Sequence, residues 1–162
     1  MTNSAVNLKP KETSAKQDTL IKLLVFDIGT LTLALPILQV QKVIRHNQVH
    51  GSELSHANLT HLADQEVTIV DLHQKLFKTR LSLSSANSGY FVISKNITGE
   101  PLGILVSESP SLIDVTATQV RLIPESYRQA DTLEIASHVA VFPQAESETF
   151  QTIFILDLHR LV

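Results

Sequence analysis

The chain has 162 residues, of which 43% are hydrophobic, and it contains neither cysteine nor tryptophan. This length fits one domain or two small ones that share a core, and without cysteine the chain has no disulfides and no thiolate chemistry. The formal net charge of −3 argues against broad binding to nucleic acids or anionic membranes. Because no apolar run approaches the roughly 18 residues of a membrane span, we expect a cytoplasmic protein without direct membrane insertion.

The chain opens with a polar segment and then a hairpin. Residues 1–19 offer few groups to bury, so we expect a disordered tail there. Residues 23–28 are apolar, residues 31–35 alternate between apolar and other side chains, and a glycine–threonine turn separates the two runs. This pattern predicts a β-hairpin, which Pro36 ends because proline cannot donate a hydrogen bond to a continuing ladder.

Further short strands follow along the rest of the chain. In the first half we predict strands over 40–44, 59–62 and 67–70, and the serine-rich residues 78–88 connect to the second half. In the second half we predict strands over 90–93, 102–106, 112–115, 139–142 and 153–156, with residues 124–133 irregular or briefly helical. About ten short strands with turn signals every 8–12 residues predict an all-β fold of two small five-stranded barrels packed together.

A five-residue motif occurs twice, with one substitution. Residues 69–73 read Ile-Val-Asp-Leu-His, and residues 155–159 read Ile-Leu-Asp-Leu-His. Such internal similarity indicates two related halves, about 20–77 and 89–162. In each copy an apolar strand stops at an aspartate, Asp71 or Asp157, whose carboxylate can accept hydrogen bonds from the free N–H groups of a helical turn. We therefore predict a short helix after each aspartate.

Four stretches of the chain resemble a known family in sequence, order and spacing. Residues 26–45, 67–76, 99–106 and 115–126 are similar to the CheW-like coupling domain, the adaptor that links chemoreceptors to the histidine kinase CheA in bacterial chemosensory arrays. The resemblance covers about residues 20–162 and implies two SH3-like β-barrels. It further implies a non-enzymatic adaptor without cofactors. Its partners would be a CheA-type histidine kinase and the cytoplasmic tip of a methyl-accepting chemoreceptor, which would recruit it to membrane-associated receptor arrays.

The resemblance also implies where partners bind. Val40, Lys42 and Val43 would lie along the binding face, with Leu62, Ala63 and Asp64 nearby. Ile104 and Val106 would form part of the floor of a groove, and Arg121 would either meet a partner or pair within the fold. For the valines and the isoleucine the alternative is a place in the core, because apolar strand residues are mostly interior.

The chain departs from the family pattern at positions of this predicted face. The family usually carries leucine, arginine and glycine where this chain has Leu62, Ala63 and Asp64, and it favours glutamate where this chain has Lys42. Replacing arginine by alanine removes up to five hydrogen-bond donors, and lysine in place of glutamate reverses a charge. The second hypothesis is therefore a CheW-like adaptor with a different set of partners, for example in a non-flagellar pathway that controls pilus-based motility.

A third hypothesis is a metal-dependent or hydrolytic enzyme. Four histidines lie within a short segment, namely His46, His50, His56 and His61, and imidazoles do bind zinc. No helix is predicted that would align them and no cysteine completes the set, so solvated loop histidines explain them better. The Asp71–His73 and Asp157–His159 pairs are spaced so that their side chains diverge, and no Gly-x-Ser-x-Gly motif is present. We therefore predict no catalytic residues and no metal site.

Overall fold

The computed structural model describes residues 19–46, 57–62, 65–79, 81, 89–128, 134–144 and 148–161. Over these residues the chain is built of short strands joined by turns, and the predicted all-β fold is confirmed. The strands are β1 (Leu20–Ile28), β2 (Leu31–Pro36), β3 (Lys42–Arg45), β4 (Ala57–Leu62), β5 (Gln65–Val70), β6 (Tyr90–Lys95), β7 (Pro101–Val106), β8 (Ser111–Thr116), β9 (Val120–Leu122), β10 (Ala136–Pro143) and β11 (Phe150–Leu156). The helices are α1 (Leu72–Phe77) and α2 (Glu125–Arg128), and the 3₁₀ turns are η1 (Ile37–Gln39), η2 (Ala117–Gln119) and η3 (Leu158–Arg160).

Both aspartates of the repeated motif cap a helical turn, as predicted. The Asp71 carboxylate accepts hydrogen bonds from the backbone N–H of Gln74, at the start of α1, and of Leu81, each at 3.1 Å. The Asp157 carboxylate accepts one from the backbone N–H of His159, also at 3.1 Å. The second element is a single 3₁₀ turn instead of an α-helix, so only one of the two motifs begins a helix of more than one turn.

The strands form two curled sheets of the SH3-like barrel type. The larger sheet has the order β8-β1-β2-β11-β10-β9 and the smaller sheet has the order β3-β6-β7-β5-β4. The larger sheet therefore has one strand more than expected, because the three-residue strand β9 pairs with β10.

The two sheets do not coincide with the two halves of the repeat. Strand β5 of the first half pairs in parallel with β7 of the second, and β11 of the second half pairs in parallel with β2 of the first. Strand β3 likewise pairs with β6, and β8 with β1. The first half begins the larger sheet with β1 and β2 but gives β3, β4 and β5 to the smaller sheet. The second half begins with β6 and β7 in the smaller sheet but gives β8 to β11 to the larger one, so the exchange is reciprocal.

Three hydrophobic clusters make up the core. One lies between the two sheets and is called here the central cluster, and the others lie on the opposite sides of the larger and the smaller sheet. Strand β1 shows the arrangement, because Leu24, Phe26 and Ile28 belong to the central cluster, whereas Leu23 and Val25 belong to that of the larger sheet. Since side chains of a strand alternate between its faces, β1 is buried on both sides.

Candidate partner-binding site

The segment that carries Val40, Lys42 and Val43 is held to the smaller sheet by backbone contacts. Pro36 ends β2, and η1 follows, closed by a hydrogen bond of 3.1 Å from the Val40 N–H to the Ile37 carbonyl. The Gln41 N–H donates to the Ile93 carbonyl at 2.8 Å, and the buried Ser94 hydroxyl donates to the Gln39 carbonyl. Strand β3 then pairs with β6. These contacts hold the segment that carries the predicted binding residues firmly against the smaller sheet.

The alternation of β3 divides the predicted residues between two faces. Val43 pairs with Val92, a residue of the central cluster, yet the Val43 residue is 41% exposed. Val40 is half-buried and packs against the same cluster. Lys42 is exposed and pairs with Ile93, which belongs to the cluster of the smaller sheet. Val40 and Val43 therefore lie at the margin of the central cluster, and Lys42 lies on the opposite face of the strand.

Ile104 and Val106 occupy the core and not the floor of an accessible groove. Both are 0% exposed and belong to the central cluster. Strand β7 sits between β6 and β5, so its backbone is paired on both sides and its side chains are covered on both faces. The core interpretation accounts for these two residues, and the groove floor suggested by the resemblance is corrected accordingly.

The remaining predicted residues are spread over both sheets. Leu62 ends β4, paired with Gln65, while Ala63 and Asp64 lie outside the described residues. Arg121 is exposed on β9, where it pairs with Val139 at the end of the larger sheet. Leu62 thus belongs to the smaller sheet and Arg121 to the larger one, and each lies on an edge strand of its sheet.

Two exposed apolar residues that the sequence analysis did not select extend the face beside β3. Leu38, in η1, is 97% exposed, and Ile97, in the turn between β6 and β7, is 68% exposed. Next to them lies a pocket of about 290 Å³, called here the η1 pocket, with Gln39, Lys95, Asn96, Asp157 and His159 among its lining residues. The sequence gives no specific signal for them, because Leu38 continues an apolar run and a single apolar residue in a polar turn, such as Ile97, is common on protein surfaces.

Two of the described histidines have partners within the fold. His46 packs its ring on Phe91 with a centroid distance of 4.6 Å, and burial lowers the pKa of His46 below its ordinary value. His73 Nδ1 hydrogen-bonds to the Thr79 carbonyl at 2.7 Å, while the Asp71 carboxylate binds backbone N–H groups. Within the described ranges, no group of three or more histidine, aspartate or glutamate side chains is placed to hold a metal ion. His50 and His56 lie outside those ranges, and of His61 only the backbone is described.

Among the helices of the described residues, none combines the length and the apolar character needed to cross a membrane.

The model of the CheW-like domain family matches residues 22–162. The chain therefore belongs to the CheW-like domain family. Among solved structures, the crystal structure of the scaffolding protein TtCheW from Thermoanaerobacter tengcongensis is similar, with a TM-score of 0.68 over 88% of each chain and 16% sequence identity. At this identity the likeness shows the common fold. A search of curated proteins finds no match.

Proposed function

We propose that this protein is a non-enzymatic adaptor that couples the cytoplasmic tip of a chemoreceptor to a CheA-type histidine kinase. Family membership gives the class of protein, and the exposed, firmly anchored strand β3 is the observation that supports a binding role. Val43 exposes an apolar surface beside the central cluster, which is the kind of residue that carries binding energy at the middle of an interface. Lys42, on the same strand, adds an exposed positive charge.

An adaptor of this kind works by holding two partners in a fixed geometry. The central cluster joins both sheets, since its members come from β1 and β2 of the larger sheet and from β6 and β7 of the smaller one. A partner on β3 and another at Arg121 on β9 would therefore be held at a constant orientation. No chemical step is required of the adaptor, and it would act in the cytoplasm at membrane-associated receptor arrays.

The test is direct binding to the kinase and to a receptor fragment encoded in the same genome. We expect each to bind the purified protein in isothermal titration calorimetry, and all three to co-elute as a ternary complex. Val43→Asp should weaken binding to at least one partner about tenfold or more, because it places a charge in a desolvated contact. Val141→Asp is a matched control, since Val141 has a similar exposure of 38% on β10 of the other sheet. Binding of neither partner by the unmodified protein would overturn the proposal.

A second candidate keeps the adaptor role in a non-flagellar pathway, such as pilus-based motility. Its support is Lys42, which is exposed on the proposed binding strand and has the charge opposite to that of the glutamate usual in the family. Co-purification with a receptor and kinase of a pilus system would favour it, and recovery of flagellar chemotaxis receptors alone would remove it. Metal analysis of the purified protein tests the metal-dependent form of the enzyme hypothesis, which requires a stoichiometric metal ion.

A further inference from the structure

Two lysines lie side by side where β3 meets β6. Lys42 pairs with Ile93, and Lys95 lies two residues further along β6, on the same face of the ladder. Diagonal neighbours in an antiparallel pair are about 7–8 Å apart at Cα, which is within reach of long side chains. Both lysines are exposed. The fold therefore places two like charges together, in a chain whose net charge is −3.

The carboxylates next to this pair have other bonds. Asp157 accepts the hydrogen bond from the His159 N–H and lies 3.7 Å from Arg160 Nε. Glu100 Oε2 accepts a hydrogen bond of 3.4 Å from the Asn96 side-chain amide. Lys95 and His159 both line the η1 pocket, and His159 is exposed. The pocket lining therefore holds the base Lys95, with Lys42 beside it on the neighbouring strand, and the acid in the lining, Asp157, already faces an arginine.

The surroundings of the pocket are apolar as well as basic. Ile97 lines the pocket and is 68% exposed, and Leu38, which precedes the lining residue Gln39, is 97% exposed. Leu158 lines the pocket and packs against the central cluster, so the wall it forms is supported by the core. A lysine on an edge strand, such as Lys42 on β3, often serves only to block pairing with other strands, but Lys95 lies on the interior strand β6, where that role does not apply.

We propose that the η1 pocket receives a carboxylate side chain from a partner protein, with aliphatic residues of the same segment on Leu38 and Ile97. The carboxylate is held by Lys95 and His159, and Lys42 lies beside Lys95 on the neighbouring strand. This inference rests on the proposed adaptor function and specifies the chemistry of one partner: a segment in which aspartate or glutamate alternates with aliphatic residues. Charge complementarity selects this occupant over a basic or purely apolar one.

The first experiment tests the pocket without any natural partner. The tripeptide acetyl-Leu-Glu-Leu-amide is titrated into the full-length ¹⁵N-labelled protein and followed by NMR. We expect shifts at Lys95, Ile97 and His159, at least fivefold tighter binding than of acetyl-Leu-Gln-Leu-amide, and loss of binding in Lys95→Glu. Equal binding of both peptides, or no shifts at these residues, would overturn the inference. Inorganic phosphate that competes as well as the acidic tripeptide would also overturn it, since the pocket would then bind anions in general.

The second experiment connects the pocket with the adaptor function. Lys95→Glu and Lys95→Gln are compared with Lys75→Glu, which makes the same charge change on α1, outside the pocket. We expect Lys95→Glu to weaken binding of the kinase or of the receptor fragment about tenfold, Lys95→Gln to weaken it less, and Lys75→Glu to leave it within about twofold. Raising the salt concentration should weaken binding to the unmodified protein more than to Lys95→Gln. If the unmodified protein binds its partners and Lys95→Glu binds them equally well, the inference about the pocket fails and the adaptor function stands. If the unmodified protein binds neither partner, the adaptor function fails, and the tripeptide titration still tests whether the pocket binds a carboxylate.

Discussion

At the scale of single residues, His46 makes the stability of the fold depend on pH. Burial lowers the pKa of His46 below 6.5, so the folded protein keeps the imidazole neutral to a lower pH than the unfolded chain does. As the pH falls below 6.5, the unfolded chain binds a proton before the folded protein does, and stability is lost until the pH reaches the lower pKa of the folded state. Above the unfolded pKa this contribution is fully present.

The prediction is a difference between two melting curves. From about pH 7.5 to about pH 5.5 the Tm of the unmodified protein should fall further than that of His46→Phe, which keeps a ring against Phe91 but cannot bind a proton. The other histidines are common to both proteins, so their contribution cancels in the comparison. Equal slopes of Tm against pH would show that His46 has no part in the pH dependence.

Gly29 is a second residue whose effect can be stated in advance. It has a φ of +58°, and a Cβ at this position would lie 2.8 Å from the ring of Phe77. Gly29→Ala should therefore destabilise the fold by about 1–3 kcal/mol, from the left-handed backbone and the displaced ring together. Gly99→Ala is the matched control, because Gly99 has a φ of +84° and open space around it. If urea denaturation shows that Gly29→Ala loses less unfolding free energy than Gly99→Ala, the contact with Phe77 is contradicted.

At the scale of elements, the two copies of the aspartate motif differ in strength. Asp71 is 2% exposed and accepts hydrogen bonds from two backbone N–H groups, whereas the less buried Asp157 accepts one in η3. Asp71→Ala should cost about 2–3 kcal/mol of unfolding free energy, because it removes a cap and leaves a buried donor unsatisfied. Asp157→Ala should cost about 1 kcal/mol or less. Denaturation of both variants, with Asp71→Asn as the conservative control, checks this order, and equal losses would be evidence against it.

The aspartate motif also shows what the sequence could predict at this scale. A capping residue bonds to N–H groups only a few residues away, so Asp71 and Asp157 could be identified from local order alone. The core position of Ile104 could not, because whether the second face of β7 is covered depends on the opposite sheet. Lys95 and His159 were missed for the same reason, since the fold brings them to one pocket from distant parts of the chain.

At the scale of the whole molecule, the reciprocal exchange makes each half of the repeat depend on the other. Strand β5 lies between β4 and β7, and β11 lies between β2 and β10, so the last strand of each half is paired on one side with the other half. The sequence indicated the two halves, but parallel pairing between distant strands leaves no local pattern from which the exchange could be derived.

It follows that neither 20–77 nor 89–162 should fold when produced alone. Each fragment would leave the apolar side chains of the central cluster exposed and one of its strands without a neighbour. We expect narrow amide dispersion in the NMR spectrum of either fragment, and native-like dispersion only after the two are mixed. A well-dispersed spectrum from one fragment alone would contradict this dependence.

The position of β11 between β2 and β10 also bears on how the protein is made. The ribosome completes β2 (Leu31–Pro36) about 120 residues before it completes β11 (Phe150–Leu156), which at about 5–20 residues per second is an interval of roughly 6–24 s. Throughout that time the first hairpin has no neighbour on one edge, and an unpaired edge of this kind is a site of aggregation. Newly synthesised chains should therefore depend on chaperones that bind exposed apolar strands, even though in the finished fold β2 has a neighbouring strand on both sides.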